Sequence, residues 1–106
     1  MKEIADIITQ GESETVEFKE NFNTDTIETA VAFANSRGGT ILIGISDHGV
    51  PINQYFGKEV LRDYVNRIAS ATEPSIIPDA VKQVTPKGEV IVLSVPEFPL
   101  KPVATR

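Results

Sequence analysis

The sequence contains no cysteine, a single histidine and no long apolar run. Without cysteine, disulfide bonds and thiolate metal sites are excluded, so a reducing compartment is the natural setting. The longest strongly apolar stretch, residues 40–45, is far too short to cross a bilayer. The start, Met1-Lys2-Glu3, lacks the basic and apolar regions of a signal peptide. We therefore expect a cytoplasmic protein with no membrane partner.

Length and charge leave several classes of partner open. The 106 residues are the size of one globular domain, and the net charge is −5. The charge is uneven, because residues 1–28 carry eight acidic side chains against two basic ones. An acidic protein repels a phosphate backbone at long range, so bulk charge does not favour nucleic-acid binding. A local basic face, or carboxylates that reach a phosphate through a metal ion, stays open.

Hydrophobic periodicity predicts alternating helices and strands. Helices are expected over 3–10, 24–34 and 58–71, with Thr24 or Asp25 capping the second, and strands over 15–19, 40–45, 50–52, 79–84 and 89–95. We predict an α/β domain of the α+β type, with one mixed sheet of about five strands, two main helices packed on it and a short N-terminal helix. The chain finishes at Thr105-Arg106 in an extended segment with no closing element expected. We interpret residues 1–106 as a single domain, the N-terminal fragment of a longer protein.

Three carboxylates are candidates for a shared site. Glu17 lies on a predicted strand with Lys19 on the same face about 7 Å away. Asp47 follows the apolar strand, at the kind of strand end where α/β sheets commonly build sites. If the two strands are neighbours, Glu12, Glu17 and Asp47 could converge into an oxygen donor set suited to Mg²⁺ or Mn²⁺. The alternative is a solvated acidic face.

Two groups of residues are candidates for phosphate contacts. The segment 35–39 (Asn-Ser-Arg-Gly-Gly) ends a predicted helix, and a helix C-cap explains one glycine. The second glycine, beside Asn35 and Arg37, leaves room for the backbone to approach a phosphate. The best basic patch, for which a solvated helix face is the alternative, consists of Lys58, Arg62, Arg67, Lys82 and Lys87. No GxxxxGK[ST] motif is present, so nucleotide hydrolysis has no support.

Three motifs, in order along the chain, carry a resemblance to a known family. They are Glu-x-x-x-x-Glu-Phe-Lys at 12–19, Ala-Phe-Ala-Asn-Ser-x-Gly-Gly at 32–39 and Ile-Gly-Ile-x-Asp-x-Gly at 43–49. With the late segment 95–103, they resemble the Schlafen AlbA-type domain over nearly the whole chain. The resemblance implies a DNA-binding module of the kind found in bacterial transcriptional regulators and RecG-related, helicase-like proteins. The sequence has no helicase motif of its own.

The resemblance also implies a second activity. In Schlafen proteins that cleave structured RNA such as tRNA, a Glu-x-x-x-x-Glu pair and an Asp after the Gly-Gly strand form a metal-dependent acidic triad. By motif these roles fall on Glu12, Glu17 and Asp47, with Mg²⁺ or Mn²⁺ as the metal and Lys19 as a backbone contact. Those nucleases build a basic groove from two tandem copies of the domain. This chain holds one copy and is acidic, so a homodimer or a partner region would have to complete the groove.

Three functional hypotheses follow. The leading one is a non-enzymatic nucleic-acid-binding module of a larger bacterial-type protein, whose phosphate contacts are Lys19, Arg37, Lys58, Arg62 and Arg67. It requires Lys19 and Arg37 to share a face of the fold. The alternative is the metal-dependent nuclease, which requires the three carboxyl groups to lie within about 5–6 Å of each other. The third is a dimerisation or scaffold domain that uses an exposed strand near 50–55 or the proline-rich tail.

Overall fold

A computed structural model describes residues 4–106 of the chain. Its helices are α1 (Ile4–Gln10), α2 (Thr24–Ala34) and α3 (Val60–Ala71). Its strands are β1 (Val16–Lys19), β2 (Gly39–Ile43), β3 (Thr72–Glu73), β4 (Asp79–Thr85), β5 (Gly88–Val95) and β6 (Ala104–Thr105). The predicted mixed α/β class is confirmed; Glu3, where the first helix was expected to begin, lies outside the described residues. Within residues 4–106, no helix has the length and apolarity needed to cross a membrane.

The main sheet has four strands in the order β1-β2-β5-β4. β1 and β2 are parallel, and their last paired residues are Lys19 and Ile43. β5 runs antiparallel to both β2 and β4. The strand expected at 50–52 is reduced to a single bridge between Ile45 and Pro51. The prediction of about five strands in one sheet therefore becomes four strands plus a separate two-stranded sheet of β3 and β6.

Both faces of the sheet are covered, as the continuous apolar character of β2 and β5 requires. One face packs against α2 and α3 through Ile41, Ile43, Ile91, Leu93 and Val95. The other packs against α1 through Phe18, Leu42, Ile45 and Val90. β4 forms an open edge of the sheet and is mostly exposed, with Val81 49% and Val84 74% exposed. The core therefore lies on both sides of β2 and β5 and thins out toward β4.

The N-cap of α2 is Asn23, and the prediction of Thr24 or Asp25 is wrong by one or two residues. The Asn23 side chain accepts from the Thr26 backbone N–H at 3.3 Å, and the Thr26 hydroxyl accepts from the Asn23 N–H at 3.2 Å. This reciprocal pair needs an extended backbone at the cap and a side-chain acceptor three residues on, which Asn23 and Thr26 provide. It fixes where the chain enters α2 after β1.

The C-terminal segment folds back onto the domain. β6 pairs with β3, Thr72 opposite Thr105 and Glu73 opposite Ala104. The Arg106 guanidinium lies 2.8 Å from the Glu73 carboxylate. The expectation of an extended end without a closing element is therefore wrong. A two-residue strand is too short to show a periodicity in the sequence, which is why the pattern did not predict it.

Candidate nucleic-acid interface

Lys19 lies at one end of the main sheet, and Asp47 follows shortly after β2 leaves that end. At this end, which we call the carboxyl edge, β1 and β2 finish and β5 begins, because β5 is antiparallel to β2. The Lys19 carbonyl accepts hydrogen bonds from the backbone N–H groups of Gly44 at 2.8 Å and Ile45 at 3.1 Å. These bonds hold the end of β1 against the residues that follow β2, so the segments that leave the two strands are neighbours.

Glu12 and Glu17 lie along the outer side of β1. The Glu12 carboxylate accepts a 2.9 Å hydrogen bond from the backbone N–H of Phe18. Because β1 is an edge strand, this bond satisfies a donor that no neighbouring strand can reach. The Lys19 ammonium lies 3.9 Å from the Glu17 carboxylate, and the Lys19 side chain is only 20% exposed. Glu12 thus has a role in the fold, and Lys19 is partly enclosed beside an acid.

The pKa of Glu17 responds to both of the other candidate carboxylates. Burial raises the pKa of Glu17 above its ordinary value, and the nearby Glu12 carboxylate raises it further through repulsion and a side-chain hydrogen bond. Lys19 lowers the pKa of Glu17, and Asp47 raises it. The condition set by the sequence, that the two strands be neighbours, is met, whereas the convergence of the three carboxyl groups on one ion stays a prediction.

The carboxyl groups do not form a ready metal site. Among the described residues, no group of three His, Asp or Glu side chains could hold a metal ion in this arrangement. The donor chemistry of Glu12, Glu17 and Asp47 suits Mg²⁺ or Mn²⁺. The arrangement does not fit one as it stands, since the three groups do not meet as a donor set; Glu12 Oε2 also accepts from the Phe18 amide.

The basic residues of α3 have acidic neighbours on the same helix. Arg62 lies 3.7 Å from Glu59, and Arg67 lies 3.8 Å from Asp63. The Arg62 side chain is 79% exposed. Ion pairs this open and this long contribute little to stability, so either arginine can exchange its carboxylate for a phosphate at small cost. Lys58, just before the helix, is exposed as well.

An aromatic contact joins α3 to the turn that follows Lys19. The Phe22 ring stacks on Tyr64 with 4.4 Å between centroids, and the Arg67 guanidinium lies 4.5 Å from the Phe22 centroid. Phe22 comes three residues after Lys19 and, like Tyr64, packs against the core, so this stack ties the turn after β1 to α3. Sequence reasoning missed the Phe22–Tyr64 pair. The available signal was an aromatic residue in a polar turn, Asn21 to Thr24, where nothing else explains one.

Arg37 lies at the opposite end of the sheet. It precedes Gly39, the first residue of β2, whereas Lys19 pairs with Ile43 at the end of β2. About 13 Å of strand separates Gly39 from Ile43. The Arg37 guanidinium contacts Glu14 at 2.5 Å, and both side chains are exposed. The structure therefore does not bring Arg37 together with Lys19, which weighs against a contact surface that includes both.

The glycines beside Arg37 are explained by packing. Gly38 has φ +79°, and a Cβ there would lie 2.7 Å from the Val95 carbonyl oxygen. A Cβ on Gly39 would lie 2.6 Å from the Phe33 ring. Both positions exclude a side chain because of the fold itself, so neither glycine indicates a phosphate.

A groove of about 1030 Å³ lies on the α1 side of the sheet, away from the carboxyl edge. Ile4, Val16, Arg37, Val81 and Val92 are among the residues that line it. It includes none of the three carboxylates and, of the predicted phosphate contacts, only Arg37. Its position therefore does not match the predicted phosphate contacts.

Comparisons with known proteins agree with the motifs. The family model described as Schlafen, AlbA_2 matches residues 12–106. The N-terminal domain of a RecG-related protein from Nitrosomonas europaea is similar over 100% of this chain and 82% of that one, with 26% identity and a TM-score of 0.81. The DIP2311 protein from Corynebacterium diphtheriae shares the fold over 96% of this chain and 22% of that one, with 18% identity and a TM-score of 0.62.

A search of curated proteins finds no match. The family match and the RecG-related neighbour support a nucleic-acid-associated role at the level of the family. Because the family model covers nearly all of the described residues, the chain belongs to the Schlafen AlbA_2 family.

Proposed function

We propose that this domain binds nucleic acid through the exposed side of α3 and the adjoining end of β1. This α3 surface is defined by Lys19, Lys58, Arg62 and Arg67. The observation that carries the proposal is the stack of Arg67 on Phe22 and of Phe22 on Tyr64. It connects Arg67 of α3 to the turn that follows Lys19, which supports a single surface built from the helix and the end of the strand.

The balance of charge on this surface predicts a modest, salt-sensitive affinity. Three cations on and before α3 face two acids, Glu59 and Asp63, which leaves a small positive excess. Phosphate contacts release counterions, so affinity falls with salt by about 0.7 to 0.9 log units per contact for each tenfold rise in salt. Such contacts position a nucleic acid without reading its sequence.

Fluorescence anisotropy with labelled DNA and RNA at low salt tests the proposal. The double variant Lys58→Gln/Arg62→Gln removes two cations that are not packed against the core, so its fold is expected to be intact. It should lose most of its affinity. Arg37→Gln is the matched control, because it removes one exposed cation at the opposite end of the sheet. Unchanged affinity in the double variant, or an equal loss in Arg37→Gln, would contradict the proposal.

The second candidate is the metal-dependent ribonuclease. Its support is the mutual influence of Glu12, Glu17 and Asp47, with Lys19 beside them. The arrangement described above does not hold a metal ion as it stands, so this function requires the carboxyl groups to come closer. Further domains of a parent chain, or a second copy, would have to widen the basic surface around a folded RNA.

Labelled tRNA incubated with and without Mn²⁺ tests this candidate. Glu17→Gln should abolish any metal-dependent products. Glu14→Gln should leave these products unchanged, because Glu14 pairs with Arg37 at the other end of the sheet. Products that persist in Glu17→Gln, or that appear without metal, would exclude the acidic group as their source.

A further inference from the structure

Tyr55 is an exposed aromatic side chain held on a fixed piece of backbone. Its side chain is 70% exposed, in the segment between β2 and α3. The residues on both sides of it are tied to Glu89 of β5. The Glu89 N–H donates to the Gln54 carbonyl at 2.8 Å, and the Phe56 N–H donates to the Glu89 carboxylate at 2.8 Å. The ring therefore projects from a backbone that is anchored immediately before and after it.

Packing around the segment strengthens this anchoring. Gly88 adopts φ +124°, and a Cβ there would lie 2.8 Å from both the Asn53 Cα and the Gln54 backbone nitrogen. The β4–β5 hairpin and the segment that carries Tyr55 are therefore in direct backbone contact. The Phe56 ring turns inward, with its edge against Tyr64 and 6.5 Å between the ring centroids. Of two consecutive aromatic residues, one is packed inside and the other is held outside.

The segment that carries Tyr55 is anchored at the carboxyl edge. Glu89, its anchor, is the second residue of β5, which begins at this edge. The Lys82 ammonium is 3.6 Å from the Glu89 carboxylate. Lys58 follows Tyr55 by three residues, and Lys87 lies in the adjacent β4–β5 turn. The end of the sheet that anchors Tyr55 thus also carries lysines of the β4–β5 turn and of strand β4, and Lys58 follows in the same segment of chain.

We propose that Tyr55 is a stacking platform for an unpaired base, so that the nucleic acid bound by this domain is single-stranded. The inference rests on the proposed function and adds the class of ligand. A base in a duplex is already stacked on both sides, whereas an unpaired base offers a free face to an aromatic ring. Lys58 and Lys87 would contact the phosphates of the same nucleic-acid strand. Base stacking of this kind does not depend on sequence, and either DNA or RNA can supply it.

Anisotropy titrations with a 12-nucleotide single strand of DNA, the same strand of RNA and the matched DNA duplex test the proposal. Tyr55→Ala should weaken single-strand binding about tenfold, within the range of one lost stacking contact, and leave duplex binding unchanged. Tyr55→Phe should keep the affinity, because the ring remains. Leu100→Ala is the control, since Leu100 is 75% exposed and belongs to the C-terminal segment.

The outcomes separate this inference from the proposed function. If the wild-type domain binds none of the three probes at low salt, both fail. If it binds and Lys58→Gln/Arg62→Gln weakens binding while Tyr55→Ala does not, the proposed function stands and the stacking role is overturned. An equal loss for the single strand and the duplex in Tyr55→Ala would also overturn the preference for unpaired bases.

Discussion

The side-chain amide of Asn35 and the backbone of Val103 form two hydrogen bonds with each other across 68 positions of sequence. Asn35 Nδ2 donates to the Val103 carbonyl at 2.9 Å, and the Val103 N–H donates to Asn35 Oδ1 at 2.7 Å. The Val103 side chain is buried in the core that α2 and α3 share. Asn35 therefore fastens the C-terminal segment to the end of α2, which gives this motif residue a role in the fold.

Asn35→Ala should lower the free energy of unfolding by about 2–3 kcal/mol, because it leaves two partly buried backbone groups without partners. Urea unfolding followed by circular dichroism measures the change. Asn66→Ala on the exposed side of α3 is the control and should stay within about 0.5 kcal/mol of wild type. A loss in Asn35→Ala no larger than in Asn66→Ala would show that the clamp does not matter for stability.

Gly39→Ala should destabilise the domain by about 1–3 kcal/mol, because its new methyl group would lie 2.6 Å from the buried Phe33 ring. Gly57→Ala is a matched control, since a Cβ there meets nothing within 4 Å. Thermal and urea unfolding of the two variants give the comparison. Equal stabilities would mean that the Phe33 ring moves aside freely.

The raised pKa of Glu17 predicts a pH dependence of stability. Its pKa is higher in the folded state than the value of about 4.3 expected in the unfolded chain. The protonated form therefore favours folding. Its contribution is fully present below about pH 4.3 and is lost as the pH rises through the folded-state pKa.

Glu17→Gln keeps this position neutral at every pH. The variant should be more stable than wild type near pH 7, and the difference should shrink as the solution is acidified. Urea unfolding at several pH values measures this difference in stability. Glu28→Gln, at an exposed position of α2, is the control. A Glu17→Gln variant that is less stable than wild type near neutral pH would contradict this. It would mean that Lys19 stabilises the ionised Glu17 by more than burial and repulsion from the other carboxylates destabilise it.

The salt dependence of binding should reveal how many cations of the α3 surface contact phosphates. Lys58→Gln/Arg62→Gln should flatten the plot of log affinity against log salt by about 1.4 to 1.8, which is about 0.7 to 0.9 for each contact removed. Arg37→Gln should leave the slope unchanged. A double variant whose affinity falls at one salt concentration with no change in slope would indicate an indirect effect on the surface.

Local patterns predicted most of the helices and strands, whereas long-range pairing was beyond them. The alternation of Val16 and Phe18 and the apolar run of β2 indicated a strand each. The pairing of β1 with β2 meets the condition on which the predicted convergence of the carboxylates depends. The placement of Arg37 at the far end of the sheet depends on the direction of β2, which periodicity does not give. Tyr55 was missed for a similar reason, because its exposure depends on contacts with Glu89, 34 positions away in sequence.

The open strand β4 has a consequence for how the domain behaves at high concentration. Its outer backbone groups face no neighbouring strand in the part of the chain that the structure describes, and Val81 and Val84 are exposed beside them. Such an edge is a template for pairing between molecules and for aggregation. Lys82 lies between the two valines, and its exposed charge disfavours that association. Neutralising Lys82 would therefore reduce solubility even where the folded structure is unchanged.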